Sequence, residues 1–403
     1  MQILSYLRSS RRVTLGLVTF AIFADTFVYD MVVPFLPDYL KKWALGEAEV
    51  GLLFGSYALA LLGVAPLAGR FADRLGRKKA LILGLFGLVA TTALYGAADS
   101  FWACLVARFL QGAAGALIWV AGLAFLAAIY PREARGQAMG AAMTAISLGT
   151  FLGPPLGGML FALGGYALPF WCAGSMVALV GLLIALLAPE NTARVASAGS
   201  PTVRPRGSSF YVTCGAVVLG SVVLNLLEPT LPLHLGERLH AGPMAIGMLF
   251  TAATLTYGLS AVWAGRVSDR FGRRRVMIWG LLATLVVLPL VALPDGWVGE
   301  SCVLALLGCA CAFLLSPTLP ELADATERSG STEFGAAYAW FNTAYAVGMM
   351  VGPAVGGLLM AKWGFFAALT TVSAMGLVFV PVLFFTDKTE SVTHPNLEQP
   401  RAA

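Results

Sequence analysis

Apolar segments of about 20 residues, the length an α-helix needs to cross the hydrocarbon core of a bilayer, recur along almost the whole chain. In such a solvent every backbone donor and acceptor must be paired within its own segment, so the chain is confined to a bundle of spanning helices. Hydropathy and turn residues place the spans at 13–34, 50–69, 80–97, 101–129, 138–163, 166–188, 210–232, 244–265, 276–294, 301–322, 334–360 and 365–385. Of the 403 residues, 12% are Asp, Glu, Lys or Arg, against about 25% in a soluble protein. A large soluble domain is therefore excluded.

An even number of spans puts both termini on one side. Lys41, Lys42, Arg238 and Lys362 fall on the opposite side and Arg108 inside a span, while the rest of the 26 Lys and Arg lie on the side of the N-terminus. That side is expected to be cytoplasmic. The formal net charge of +5 then serves orientation and implies no nucleic-acid partner. The apolar run after Arg12 resembles a secretory leader, but it continues through Leu36, contains Asp25 and lacks a small-residue cleavage site. It is expected to be a retained first helix. Cys104, Cys172, Cys214, Cys302, Cys309 and Cys311 fall in apolar spans, where thiols act as small hydrophobes. His234, His240 and His394 have no ligand spacing, so no metal is expected.

The chain repeats itself. Val50-Gly-Leu-Leu-Phe54 returns as Ile246-Gly-Met-Leu-Phe250, and the ten residues from Gly69 to Lys78 return as those from Gly265 to Arg274, both at an offset of 196. Gly149-Thr-Phe-Leu-Gly-Pro-Pro-Leu-Gly-Gly158 returns as Gly348-Met-Met-Val-Gly-Pro-Ala-Val-Gly-Gly357, at an offset of 199. Matched segments in the same order predict an all-α integral membrane fold of twelve transmembrane helices in two parallel, pseudo-symmetric six-helix bundles. The halves are 1–188 and 208–388, joined by a cytoplasmic linker at 189–207 and followed by a tail at 389–403. Two parallel halves around a central cavity is a transporter architecture.

Several motifs carry a resemblance. GxxADRxGRKxxL at 69–81 and Arg108-Phe-Leu-Gln-Gly112 resemble signatures of the major facilitator superfamily, and the run at 149–158 resembles the fifth-helix motif of its drug:proton antiporters. Asp25 in DxxxxxxVVPxxPxYL, the Val50-Gly-Leu-Leu-Phe54 start of the second span and Leu227-Glu-Pro-Thr-Leu-Pro232 together resemble the vesicular monoamine transporters and their bacterial relatives. The resemblance implies an exporter in a bacterial inner membrane, functional as a monomer, with protons as coupling ion and no cofactor. It also marks departures: acidic residues of the eukaryotic transporters are matched by Leu315 and Asn342, and a lysine by Tyr57. Fewer titratable groups then remain for coupling.

Four ionisable side chains lie well inside spans: Asp25, Asp30, Arg108 and Glu228. Each costs several kcal/mol to place there, roughly 2.5–3.5 at a helix centre for Asp and Arg, and so calls for a function. Asp25, near the midplane, is read as a proton carrier and cation ligand; the alternative is a simple charge pair with Arg108. Glu228, beside Pro229, is read as a second coupling and cation-binding residue, or else as a gate. Asp30 is an outer-gate partner or a solvated helix end, and Arg108 a structural or gating charge paired with Asp30 or Glu228. Tyr29, Tyr57, Trp119, Tyr257, Trp340, Phe341 and Tyr345, with polar Asn225 and Asn342, are expected to line the cavity, aromatic faces being attractive to organic cations.

Asp73 with Arg77, and Asp269 with Arg273, are expected to form a cytoplasmic gate by capping helix N-termini of the opposite half. Gly149, Gly153, Pro154 and Gly157, matched by Gly348, Gly352, Pro353 and Gly356, should allow close and bendable packing. The leading expectation is a proton-coupled antiporter exporting monoamines or lipophilic cationic drugs by alternating access. The alternative is the same fold exporting neutral compounds or sugars, or working as a symporter. An enzyme is disfavoured, since neither HExxH nor GxxxxGK[ST] occurs.

Overall fold

The computed structural model describes residues 10–43, 45–189, 208–328 and 334–384. The expected linker, from residue 190 on, and the expected tail lie outside the described residues. In chain order the first half holds α1 (Arg11–Asp30), a short α2 (Leu36–Leu40), α3 (Glu47–Leu75), α4 (Arg77–Gly96), α5 (Phe101–Ile129), α6 (Arg132–Gly164) and α7 (Ala167–Leu187). The second holds α8 (Ser208–Arg238), α9 (Pro243–Phe271), α10 (Arg273–Leu290), α11 (Trp297–Leu315), α12 (Thr318–Arg328), α13 (Phe334–Trp363) and α14 (Phe365–Leu377). Eleven helical segments among the described residues are long and apolar enough to cross a membrane. Helix α10 opens with three arginines and is apolar beyond them, completing the expected set.

Prolines account for the departures from the expected spans. α1 ends at Asp30 and the chain turns through Val33 and Pro34, a residue before proline being disfavoured in the helical region. The tenth span breaks at Ser316 and Pro317 before resuming as α12. The last is interrupted at Val378, where Pro381 has no amide to offer the Leu377 carbonyl.

Packing repeats with the sequence. Within the halves α1 lies along α6 as α8 lies along α13, and α5 packs on α3 and α4 as α11 packs on α9 and α10. Sharp corners fall at matched glycines: Gly76 (φ 88°) and Gly272 (φ 93°) turn the second helix of each half into the third. Gly165 (φ 70°) and Gly364 (φ 80°) do the same between the fifth and the sixth. A side chain with a Cβ is strained in that left-handed region.

The halves meet along two seams, α3 against α13 and α6 against α9. At the end of these seams remote from the N-terminus, the outer end on the expected orientation, there is no room for a Cβ: Gly51 abuts the Pro353 carbonyl, Gly357 that of Glu47, Gly247 that of Pro154 and Gly158 that of Pro243. Towards the other end, Gly63, Gly69, Gly258 and Gly265 have open space around them. The molecule is closed at the end away from the N-terminus and open on the side that carries it. Trp171, Trp263 and Val298, each more than 60% exposed, sit on the outward surface, where lipid rather than water is their solvent.

Candidate functional site

Asp25 sits in the second half of α1, with 1% of its surface exposed. Its Oδ2 accepts two hydrogen bonds, from the Tyr57 hydroxyl of α3 at 3.0 Å and from the Trp119 indole N–H of α5 at 2.8 Å. Oδ1 has no partner. It packs against α5 at Gly115, where a Cβ would stand 3.0 Å from that oxygen. A carboxyl held at one oxygen and unoccupied at the other has a place for a proton.

One turn further along α1, Tyr29 reaches across to the second half. Its hydroxyl donates to Glu228 Oε2 of α8 at 2.7 Å, joining the halves at the centre of the molecule. The Tyr29 and Tyr57 rings meet with centroids 4.6 Å apart. Each tyrosine therefore holds one carboxylate, and the two rings lean on each other. Glu228 is only partly buried, so an entering ligand can reach it more readily than Asp25.

Arg108 lies over both rings, its guanidinium carbon 4.4 Å from the Tyr29 centroid and 5.2 Å from that of Tyr57, with Phe54 and Tyr95 closing the cage. It is fully buried. Nη2 donates to the Tyr29 carbonyl at 3.0 Å and Nη1 to Gln111 Oε1 at 3.4 Å, and Gln111 in turn donates to Thr92. The expected ion pair of Arg108 with Asp30 or Glu228 is not formed; ring faces and a backbone carbonyl take its place, because Tyr29 lies between the arginine and Glu228. Asp30 is buried and bonded by Thr150 of α6.

The other expected lining residues divide. Asn225 donates to the Ser221 carbonyl at 2.7 Å and also bonds Tyr345. Tyr345 stacks on Phe341 at 6.2 Å and lies within electrostatic range of Tyr257 and Glu228. These belong to the central cluster, and Asn342 lies partly buried one residue from Phe341. Trp340 does not join it: its ring packs edge-on against Phe210 at 5.6 Å in a small core with Leu322 and Ala325.

Among the described residues Asp73 and Asp269 make no ion pair and are exposed, so the expected caps on the opposite half are not formed while this side is open. Arg273 is bound instead to Asp324 and to the Pro320 carbonyl of its own half, stapling α10 to α12. Arg77 is partly buried. Their neighbours Lys78 and Arg274 donate to the Ala188 and Leu383 carbonyls at 2.7 and 2.9 Å, placing a cation at the C-terminal end of the last span of each half. The motif glycines pack inside their halves, Gly149, Gly153 and Gly157 on α1 and Gly348, Gly352 and Gly356 on α8, whereas Pro154 and Pro353 present carbonyls to the opposite half.

Sequence reasoning missed Glu300. It lies in the first turn of α11, wholly buried, with neither oxygen hydrogen-bonded; a span drawn to begin at 301 left it outside. Gln111 and Thr150 lay within quoted motifs but were not singled out.

The sequence profile described as "Major Facilitator Superfamily" matches residues 18–210 and 213–403. The probable vesicular acetylcholine transporter-B of Danio rerio is 28% identical over 388 residues, spanning 93% of this chain and 79% of that protein. The synaptic vesicular amine transporter of Mus musculus is 26% identical over 357 residues, spanning 88% and 69%. Among solved structures, a bacterial homolog of the human lysosomal transporter Spinster, inward-facing and occupied, superposes with a TM-score of 0.81 at 15% identity, covering 94% of this chain and 97% of that one. At that identity the likeness concerns the fold.

Proposed function

The chain belongs to the major facilitator superfamily, and we propose that it is a proton-coupled antiporter exporting small organic cations, monoamines or lipophilic aromatic amines, by alternating access. The observation that carries this reading is the pair of tyrosine-held carboxylates, Asp25 and Glu228, on either side of the seam between the halves. Glu228, the more accessible, supplies the counter-charge for the cation, with Tyr257, Phe341 and Tyr345 as aromatic walls. Asp25, sealed behind Tyr57 and Trp119, carries the proton. The halves, 1–188 and 208–388, rock about the glycine seams, and Asp73 and Asp269 close the cytoplasmic side in the opposite state. Arg77 and Arg273 support that gate, while Asp30 and Arg108 serve the outer one. We place the working unit as a monomer in a bacterial inner membrane with both termini cytoplasmic.

A proton moving down one pH unit supplies about 1.4 kcal/mol, enough to sustain roughly a tenfold substrate gradient. The test uses purified protein in liposomes with an acid interior and radiolabelled 2-phenylethylammonium outside. Accumulation is expected in the wild type and is abolished in Asp25→Asn. Glu228→Gln should weaken the ammonium at least tenfold while leaving 2-phenylethanol, an uncharged analogue, nearly unaffected. Equal loss of both ligands would overturn the assignment of Glu228 and favour an exporter of neutral compounds.

A further inference from the structure

Tyr29 stands between the two carboxylates in a way that neither needs for its own sake. Its hydroxyl lies 2.7 Å from Glu228 Oε2, the position a substrate ammonium would take. Its side chain springs from the same helix as Asp25, one turn on, and helical side chains lean back over the preceding turn. Asp25 belongs to that preceding turn, and its Oδ1 is buried and without a partner, packed against the bare backbone of Gly115. Tyr57 and Trp119 already fill the donor positions on Oδ2. The backbone of Tyr29 is held by Arg108, which donates to its carbonyl, so a turn of the side chain would leave the helix in place.

Building on the antiporter reading, we infer that the Tyr29 hydroxyl is a two-position switch: it donates to Glu228 when the site is empty and to Asp25 Oδ1 when an organic ammonium occupies Glu228. The balance closes. One cation enters, its N–H group replacing the Tyr29 O–H on Glu228. The freed hydroxyl turns to Asp25, whose carboxyl gives its proton to water on the open side, leaving a carboxylate held by three donors. One positive charge enters and one leaves, so the low-dielectric site keeps its net charge. On the outer side the sequence runs in reverse.

Tyr29 is on this account a positioning residue, and Tyr29→Phe removes the switch while keeping the ring against Tyr57 and Arg108. Purified full-length protein is mixed with 2-phenylethylammonium in weakly buffered solution, and protons released per cation bound are counted with an indicator dye. The same count in Asp25→Asn isolates the share due to Asp25. About one Asp25-dependent proton per cation is expected in the wild type. In Tyr29→Phe the cation should still bind and that share should fall about tenfold, the equivalent of one charge-assisted hydrogen bond. The double variant Asp25→Asn with Tyr29→Phe should release only slightly less than Tyr29→Phe alone. Undiminished Asp25-dependent release from Tyr29→Phe overturns the switch and leaves the antiporter reading standing. Loss of cation binding in Tyr29→Phe overturns it too, making Tyr29 a ligand. A wild type that binds no cation, or releases no proton on binding it, overturns the antiporter reading and the switch together.

Discussion

A guanidinium with no carboxylate beside it sits at the centre of this site, and the reason is economy of charge. Were Arg108 paired with Asp25 or Glu228, that carboxylate would be neutralised permanently, and breaking a buried pair is strongly disfavoured. Caged by four aromatic rings and a carbonyl, Arg108 lends both carboxylates its field and leaves both free to exchange partners. Glu300 is the contrasting case, buried at the outer end of α11 with both oxygens unbonded. Such a group costs about 1–3 kcal/mol. Glu300→Met, similar in size and apolar, should raise the thermal midpoint of the purified protein while leaving transport of 2-phenylethylammonium intact; lost transport with an unchanged midpoint would give Glu300 a working role. Asp25, Arg108 and Glu228 were legible in the sequence because a charge in an apolar run stands out. Their partners were not, because whether Arg108 meets a carboxylate or a ring depends on which helices become neighbours.

Helices were legible wherever hydropathy alone decides them, and less so where one residue interrupts. Pro317 and Pro381 cut spans that apolarity alone would have drawn as continuous, and Pro34 ends α1 early. The corner glycines show the opposite case. Gly76 and Gly272 stand in a visible repeat, whereas Gly165 and Gly364 stand seven residues beyond one, at its same offset of 199, and their role as corners appears in their shared positive φ. A Cβ in that region costs roughly 1–2 kcal/mol. Gly272→Ala and Gly364→Ala should each lower stability by about that amount, read as a drop in thermal midpoint. Gly16→Ala, in the open on α1, should leave it unchanged or slightly raised, since alanine is the better helix former by about 0.5–1 kcal/mol. No drop at the two corners would mean that the backbone relaxes there.

For the whole molecule the seams decide which side is open. Both are closed at their outer ends by glycines set against carbonyls freed or displayed near Pro154 and Pro353, so the closed arrangement depends on there being no side chain at Gly51 and Gly247. Substitution at either should act on a two-state balance rather than on folding, because in the proposed rocking of the halves the opposite state separates these same surfaces. Overpacking a tight contact costs about 1–3 kcal/mol, and end states that interconvert lie within a few kcal/mol of each other. Gly51→Val and Gly247→Val, at matched positions in the two seams, should therefore each shift the population toward the outer-open state by roughly 5–150-fold, and together by close to the product, since both act on one equilibrium and do not touch each other. Pairs of spin labels across the outer ends of α3 and α13, and of α6 and α9, should report longer distances without ligand in each single variant. Both pairs must lengthen in either variant if the halves rock as rigid bodies; lengthening confined to the substituted seam would mean that the two seams open independently.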